Sequence, residues 1–219
     1  MKNSLRVAGL MSGTSMDGLD CCIADVSIDS NFIFDYDIIS QKSFEFNQVT
    51  KNKIRQYIGE TKIDRLNEID KFMGKSFLSL SKLFLSNHPF DYISIHGQTV
   101  HHKDKIKSIQ IGDPIYLATY FKVPVIYNFR KKDIELGGTG APLMPFLDWL
   151  FFRKKGFNII TLNLGGISNV SVINQDCRKN DVIGFDTGPG MSLIDESVRK
   201  FWGEECDKNG KYSSQGKIV

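Results

Sequence analysis

The hydrophobic pattern changes period several times along the chain. Leu5 to Ala8 and Cys21 to Ile28 are apolar runs flanking a polar, glycine-rich stretch, Gly9 to Asp20, and together they read as a β-hairpin. Phe32, Phe34, Tyr36, Ile38, Ile39, Phe44 and Phe46 continue in mixed alternation, so Phe32 to Phe46 extends an antiparallel meander as a third strand. The spacing then becomes helical. Val49, Ile54, Tyr57 and Ile58 share a face from Gln48 onward. From Ile63 to Asn87, Leu66, Ile69, Phe72, Met73, Phe77, Leu80 and Phe84 recur at three and four residues as a core-facing stripe. Asn87-His88-Pro89 stops that helix.

Tyr92 to Ile95 is a short strand that ends in a polar loop, His96 to His102. Ile109-Gln110-Ile111 is a strand that turns through Gly112-Asp113-Pro114 into a helix from Ile115. Val123 to Tyr127 is a buried strand, and Pro145 to Phe152 is an apolar helix closed by Arg153-Lys154-Lys155-Gly156. A domain boundary is expected there, giving residues 1–156 and 157–219. The second part repeats the opening device: a strand from Phe157 to Leu164, a turn Gly165-Gly166-Ile167-Ser168-Asn169, and a return strand from Val170 to Ile173. Two such hairpins, each heading a domain, suggest a duplicated fold that holds a phosphate chain between its halves. Val182 to Phe185 leads through Asp186-Thr187-Gly188-Pro189-Gly190-Met191 to a helix from Ser192 to Trp202. The tail from Asp207 is polar.

Composition narrows the function without naming it. The 219 residues allow one large domain or two small ones, and 41% hydrophobic with 24% charged content is ordinary for a globular protein. A net charge of +3, with scattered Lys and Arg, argues against nucleic acid as a partner. Cys21, Cys22, Cys177 and Cys206 form no C-x-x-C, which argues against zinc or a disulfide framework and suits a reducing cytoplasm. No signal peptide and no membrane-spanning run is expected.

Three stretches carry candidate chemistry. In Gly9 to Asp20, Gly9, Gly13 and Gly18 allow close backbone approach. Ser12, Thr14 and Ser15 add hydroxyls, and Asp17 and Asp20 can hold a metal's water shell. The set suits a polyphosphate with Mg²⁺, and a solvent-exposed hairpin tip is the alternative. His96, Gln98 and Thr99 lie past a strand's carboxyl end, where ligands of α/β sheets bind, and can hydrogen-bond a polyhydroxy ligand. A structural loop is the alternative there, and the histidines lack the companions of a metal site. Arg130 and Asp133, followed by the Gly137 to Leu143 loop, look like a catalytic pair with a general base; a surface ion pair is the alternative. Neither the G-x-x-x-x-G-K-[ST] nor the G-x-G-x-x-G nucleotide motif occurs here.

Taken together, Gly9 to Asp20, His96 to His101, Ile111 to Asp113, Asn128 to Pro145, Leu162 to Asn169 and Asp186 to Asp195 resemble, in order, the anhydro-N-acetylmuramic acid kinase family. The resemblance implies an α/β fold of the actin-like ATPase (ribonuclease H-like) type, with the first domain complete and the second partial. It implies a kinase that opens the 1,6-anhydro bridge of anhydro-N-acetylmuramic acid with water and phosphorylates O6. The product is N-acetylmuramic acid 6-phosphate, in peptidoglycan recycling. By the same resemblance Gly13, Thr14, Ser15, Met16, Asp17, Gly18, Leu19 and Asp20 bind the phosphates of Mg-ATP, and Gly165 and Gly166 belong to a second phosphate motif. Asp133 is the base, Arg130 orients it or stabilises charge, and His96, Gln98 and Thr99 contact the sugar. No protein metal ligand is implied. Met191 stands where the family usually has Asn, and methionine lacks an amide's hydrogen bonds. Family members are longer, so a C-terminal truncation is implied. A homodimer, or a complementing C-terminal polypeptide, would then be the partner. The alternative is an inactive remnant or a half-enzyme.

Overall fold

The computed structural model describes residues 4–217. Two compact units divide between Ala141 and Pro142. In the first, β1 (Leu5–Met11), β2 (Gly18–Ile28) and β3 (Phe34–Glu45) form the expected antiparallel meander, with Met11 opposite Asp20 across the glycine-rich turn. Helices α1 (Gln48–Gln56) and α2 (Ile63–Ser86) carry the chain to β4 (Tyr92–Ile95), which lies parallel to β1 on its other side. A crossover of this length is what a parallel neighbour requires. The two-residue β7 (Val125–Ile126) completes the order β3-β2-β1-β4-β7.

Alternation on the strands and the stripe on α2 meet in one core. Ala8 and Leu10 of β1, Leu19, Cys21 and Ile23 of β2, and Ile93 and Ile95 of β4 are buried with Leu66, Ile69, Met73 and Phe77 of α2. Asn47 caps α1 by accepting the Thr50 N–H at 2.8 Å. Gly74 lets α2 close on the Asp113 backbone, where a Cβ would overlap the carbonyl.

Two polar stretches that read as loops are regular structure. Gln98 to His102 belongs to β5 (Gln98–Lys103), which pairs with β6 (Lys107–Ile111) as a two-stranded ribbon. Its alternation is carried by Gln98 and Val100, both buried, so a polar side chain occupies an inward position. After α3 (Ile115–Phe121) and β7, residues Phe129–Glu135 form a helix, α4. Asn128 starts it in the left-handed region (φ 62°), a conformation that asparagine tolerates.

The second unit holds α5 (Met144–Phe152), β8 (Ile159–Leu164), β9 (Ile167–Ile173), β10 (Ile183–Pro189) and α6 (Met191–Trp202). The order β10-β9-β8 repeats the meander of the first unit. The division precedes α5, not the basic turn at Gly156, because α5 is tied to this sheet. The buried Asp148 accepts the hydroxyls of Thr161 (2.7 Å) and Ser171 (2.6 Å), and Trp149 Nε1 donates to the Cys177 carbonyl. On one face of the sheet Ile160, Leu162 and Leu164 of β8, with Ile183 and Phe185 of β10, are exposed. Each unit is α/β, in keeping with the actin-like type expected from the sequence.

Candidate functional site

The turn between β1 and β2 is held from beneath. Ser12 is buried and its hydroxyl donates to Gln98 Oε1 at 2.6 Å, while Gln98 Nε2 donates to the Gly13 carbonyl at 3.0 Å. The Met16 N–H also reaches that carbonyl, at 3.2 Å, closing a four-residue turn with Met16 at φ 57°. Thr14, Ser15 and Asp17 stand exposed at the tip. The Leu19 side chain is in the core, and Gly18 passes so close to the Phe44 carbonyl that a Cβ would overlap it. Asp20 is exposed and accepts the Ser43 hydroxyl.

Next to this turn lies the end of β4. The His96 N–H donates to the Leu10 carbonyl, and its Nδ1 lies 2.8 Å from the Gly97 carbonyl. Arg130 Nε–H donates to His96 Nε2 at 3.2 Å, and Nη1 donates to the Gly140 carbonyl at 2.9 Å. Burial pushes the His96 pKa below its ordinary value, and the Arg130 charge adds to that. Burial also lowers the pKa of Arg130, which keeps its charge at any working pH. Asp133, one turn along α4, accepts the Gly140 N–H at 2.8 Å. Arg130 and Asp133 therefore do not pair with each other: they hold opposite ends of Gly140, whose φ of 78° suits glycine. Gly138 borders the carboxylate, and a Cβ there would overlap it.

A cavity of about 200 Å³ opens beside His96, lined also by Asp70, Gln110, Tyr127 and Asn128. Asp70 and Gln110 continue into a second cavity of about 440 Å³ walled by Leu66, Ile109 and Ile134. Neither Gln98 nor Thr99 lines these cavities. Gln98 is 0% exposed, and Thr99 Oγ1 accepts from Gln110 Nε2 at 3.2 Å. Sequence reasoning passed over Asp70, Gln110 and Asn128. Asp70 had a readable signal, since Leu66, Asp70, Met73 and Phe77 share one helical face. Its carboxylate accepts the Gly112 N–H at 2.7 Å, and burial pushes its pKa up.

In the second unit, the carbonyls of Gly165 and Gly166 are taken by the first amides of α6. Met191 N–H donates to Gly165 at 2.8 Å, and Gly190 and Ser192 donate to Gly166. Gly190 touches the Gly165 carbonyl too closely to allow a Cβ. The contribution of Met191 here is a backbone bond, which any non-proline residue makes.

The family model described as anhydro-N-acetylmuramic acid kinase matches residues 5–219. The chain belongs to that family. A Shewanella loihica protein named anhydro-N-acetylmuramic acid kinase is 38% identical over 95% of this chain and 58% of its own length. One from Clostridioides difficile with the same name is 34% identical over 96% of the chain and 58% of its own length. The chain thus spans 58% of the length of these two relatives. Membership of the anhydro-N-acetylmuramic acid kinase family agrees with the resemblance drawn from the ordered motifs and with the α/β fold it implied. Among the described residues no cluster of three or more His, Cys, Asp or Glu side chains could hold a metal, and no helix is long and apolar enough to cross a membrane.

Proposed function

We propose that the chain works as an ATP-dependent kinase of the cytoplasm. It opens the 1,6-anhydro ring of anhydro-N-acetylmuramic acid with water and phosphorylates O6, giving N-acetylmuramic acid 6-phosphate for peptidoglycan recycling. One observation carries this reading: Gln98 anchors the glycine-rich turn at Gly13, the His96 N–H bonds Leu10 at the start of the same stretch, and His96, Arg130 and Asp133 are linked to one another through Gly140.

The donor set fits Mg-ATP. Thr14 and Ser15 offer exposed hydroxyls, Gly13 turns its carbonyl inward, and the Asp17 and Asp20 carboxylates suit a hydrated Mg²⁺ held mainly by phosphate oxygens. In this reading Gly13 to Asp20 form the first phosphate turn, and Gly165 and Gly166 belong to the second. Bound Mg-ATP supplies the phosphoryl group and neutralises charge on it. Asp133 takes a proton from water as the water oxygen bonds to the anomeric carbon and the bridge bond to O6 breaks. The freed O6 would then bond to the γ-phosphorus as the bond from that phosphorus to the bridging oxygen breaks and ADP leaves. The bond to Gly140 engages one carboxylate oxygen and leaves the other for the water proton. Arg130, which itself lines neither cavity, places positive charge against the His96 ring that does, and the neutral ring orients Arg130 and the sugar.

An ADP-release assay with Mg-ATP and anhydro-N-acetylmuramic acid tests the proposal. Sugar-dependent ADP that vanishes in Asp133→Asn is the expected result. The open apolar face of β8 and β10 favours a second reading, a half-enzyme that needs another polypeptide or a second copy to cover that face. A folded chain that releases no sugar-dependent ADP alone overturns the first reading in favour of the second.

A further inference from the structure

Gln98 is a fully buried polar side chain beneath the turn, bonded there to the equally buried Ser12, and it lines neither cavity. Its amide oxygen is occupied by the Ser12 hydroxyl. Its amide nitrogen reaches the Gly13 carbonyl at 3.0 Å and, more weakly, the Thr99 carbonyl at 3.3 Å. A trans peptide is planar, with its C=O and N–H pointing opposite ways. Drawing the Gly13 carbonyl inward therefore turns the Thr14 N–H outward, to the exposed side of the turn. Glycine at position 13 gives that peptide freedom to rotate, and the Met16 N–H, at 3.2 Å, is its other anchor. A rotated peptide would present a carbonyl oxygen, which repels phosphate, where an N–H should be.

We propose that Gln98 is a positioning residue that locks the Gly13–Thr14 peptide with its N–H directed at a polyphosphate, instead of contacting the sugar. The proposal rests on reading the Gly9 to Asp20 turn as the ATP phosphate site. It divides the hydroxyls of the turn into two roles. Ser12 holds Gln98, while Thr14 and Ser15 face the ligand.

Two substitutions separate the lock from general stability. Gln98→Met keeps the approximate size and removes both polar atoms. Gln98→Glu keeps an acceptor for Ser12 and loses the donor to Gly13. For each, Mg-ATP affinity is measured by calorimetry, the thermal midpoint by melting, and the Met16 and Thr14 amides of the free protein by hydrogen exchange. Losing one hydrogen bond at the turn should weaken Mg-ATP binding about tenfold in both variants. The Met16 amide should exchange faster, because its acceptor carbonyl has lost an anchor. A purely structural role would lower the midpoint and leave the affinity of the folded variant unchanged; that result overturns the proposal. Wild-type protein that does not bind Mg-ATP defeats the polyphosphate reading instead. The exchange data then still decide the lock: faster Met16 exchange supports it and unchanged protection refutes it. Should the Gln98 variants fail to fold, Ser12→Ala releases one end of Gln98 and should shift affinity and exchange in the same direction by less, whereas no shift in either overturns the lock.

Discussion

Arg130 Nε and His96 Nε2 lie 3.2 Å apart, joining residues 34 positions apart in sequence. Guanidinium nitrogens only donate, so the imidazole must accept at Nε2. The proton then sits on Nδ1, which donates to the Gly97 carbonyl. His96 is thus held as the neutral ring in one tautomer, consistent with a pKa pushed down by burial and by the neighbouring charge.

This sets a sign for acid sensitivity. The unfolded chain protonates His96 near the ordinary value of about 6.5, while the folded chain resists until lower pH. Its contribution is therefore present in full above about pH 6.5 and is lost as pH falls through the folded pKa. Urea midpoints between pH 5 and 8 should fall on acidification in the wild type, and the slope should flatten in His96→Gln.

Asp133 can be displaced without being removed. A methyl group at position 138 would push the carboxylate off the Gly140 N–H, since the side chain is the part free to move. Gly138→Ala should cost roughly 100-fold in sugar-dependent ADP release, as small misplacements of a reacting group do. Its melting temperature should stay within a few degrees of wild type. Equal turnover in the variant and wild type would show that Asp133 is not the base in this geometry.

The α5 helix depends on a buried acceptor. Asp148→Ala leaves the hydroxyls of Thr161 and Ser171 without their partner, at a cost of about 3 kcal/mol. Asp148→Asn keeps an acceptor oxygen and should cost about 1 kcal/mol. Urea unfolding followed by the fluorescence of Trp149, which neighbours Asp148 on the same helix, reads both values.

The cysteines should separate by reactivity. Burial pushes the Cys21 thiol up to about 12, with the charges of Asp20 and Cys22 adding to the effect, whereas Cys206 is exposed. Iodoacetamide at pH 8 should label Cys206 in the native protein and Cys21 only after denaturant, as peptide masses would show.

The sheet and long helices were legible because burial imposes clear periods: two on β1 and β2, three and four on α2. In the ribbon, β6 was legible from Ile109 to Ile111, but β5 was not, because its inward position is filled by Gln98, a side chain that is polar and buried at once. Residues 128–133 also read as loop, since the seven residues of α4, Phe129–Glu135, carry too few apolar positions to show a helical stripe and the preceding Asn128 suggests a turn. Arg130 and Asp133 were visible as a charged pair near glycines. That they share Gly140 rather than each other depends on backbone geometry that residue spacing does not encode. Asp70 was hidden by its neighbours, a carboxylate inside a stripe otherwise read as core.

Strand β8 lies at the edge of its sheet among the described residues, and its six residues, Ile159 to Leu164, contain no charge, proline or glycine. Such a segment, with its apolar side uncovered, is a template for cross-β stacking with identical copies. Left without cover, the chain should lose material to concentration-dependent fibrous aggregates that start at β8, and a lysine at Leu162, on the uncovered side, should act as a gatekeeper against them.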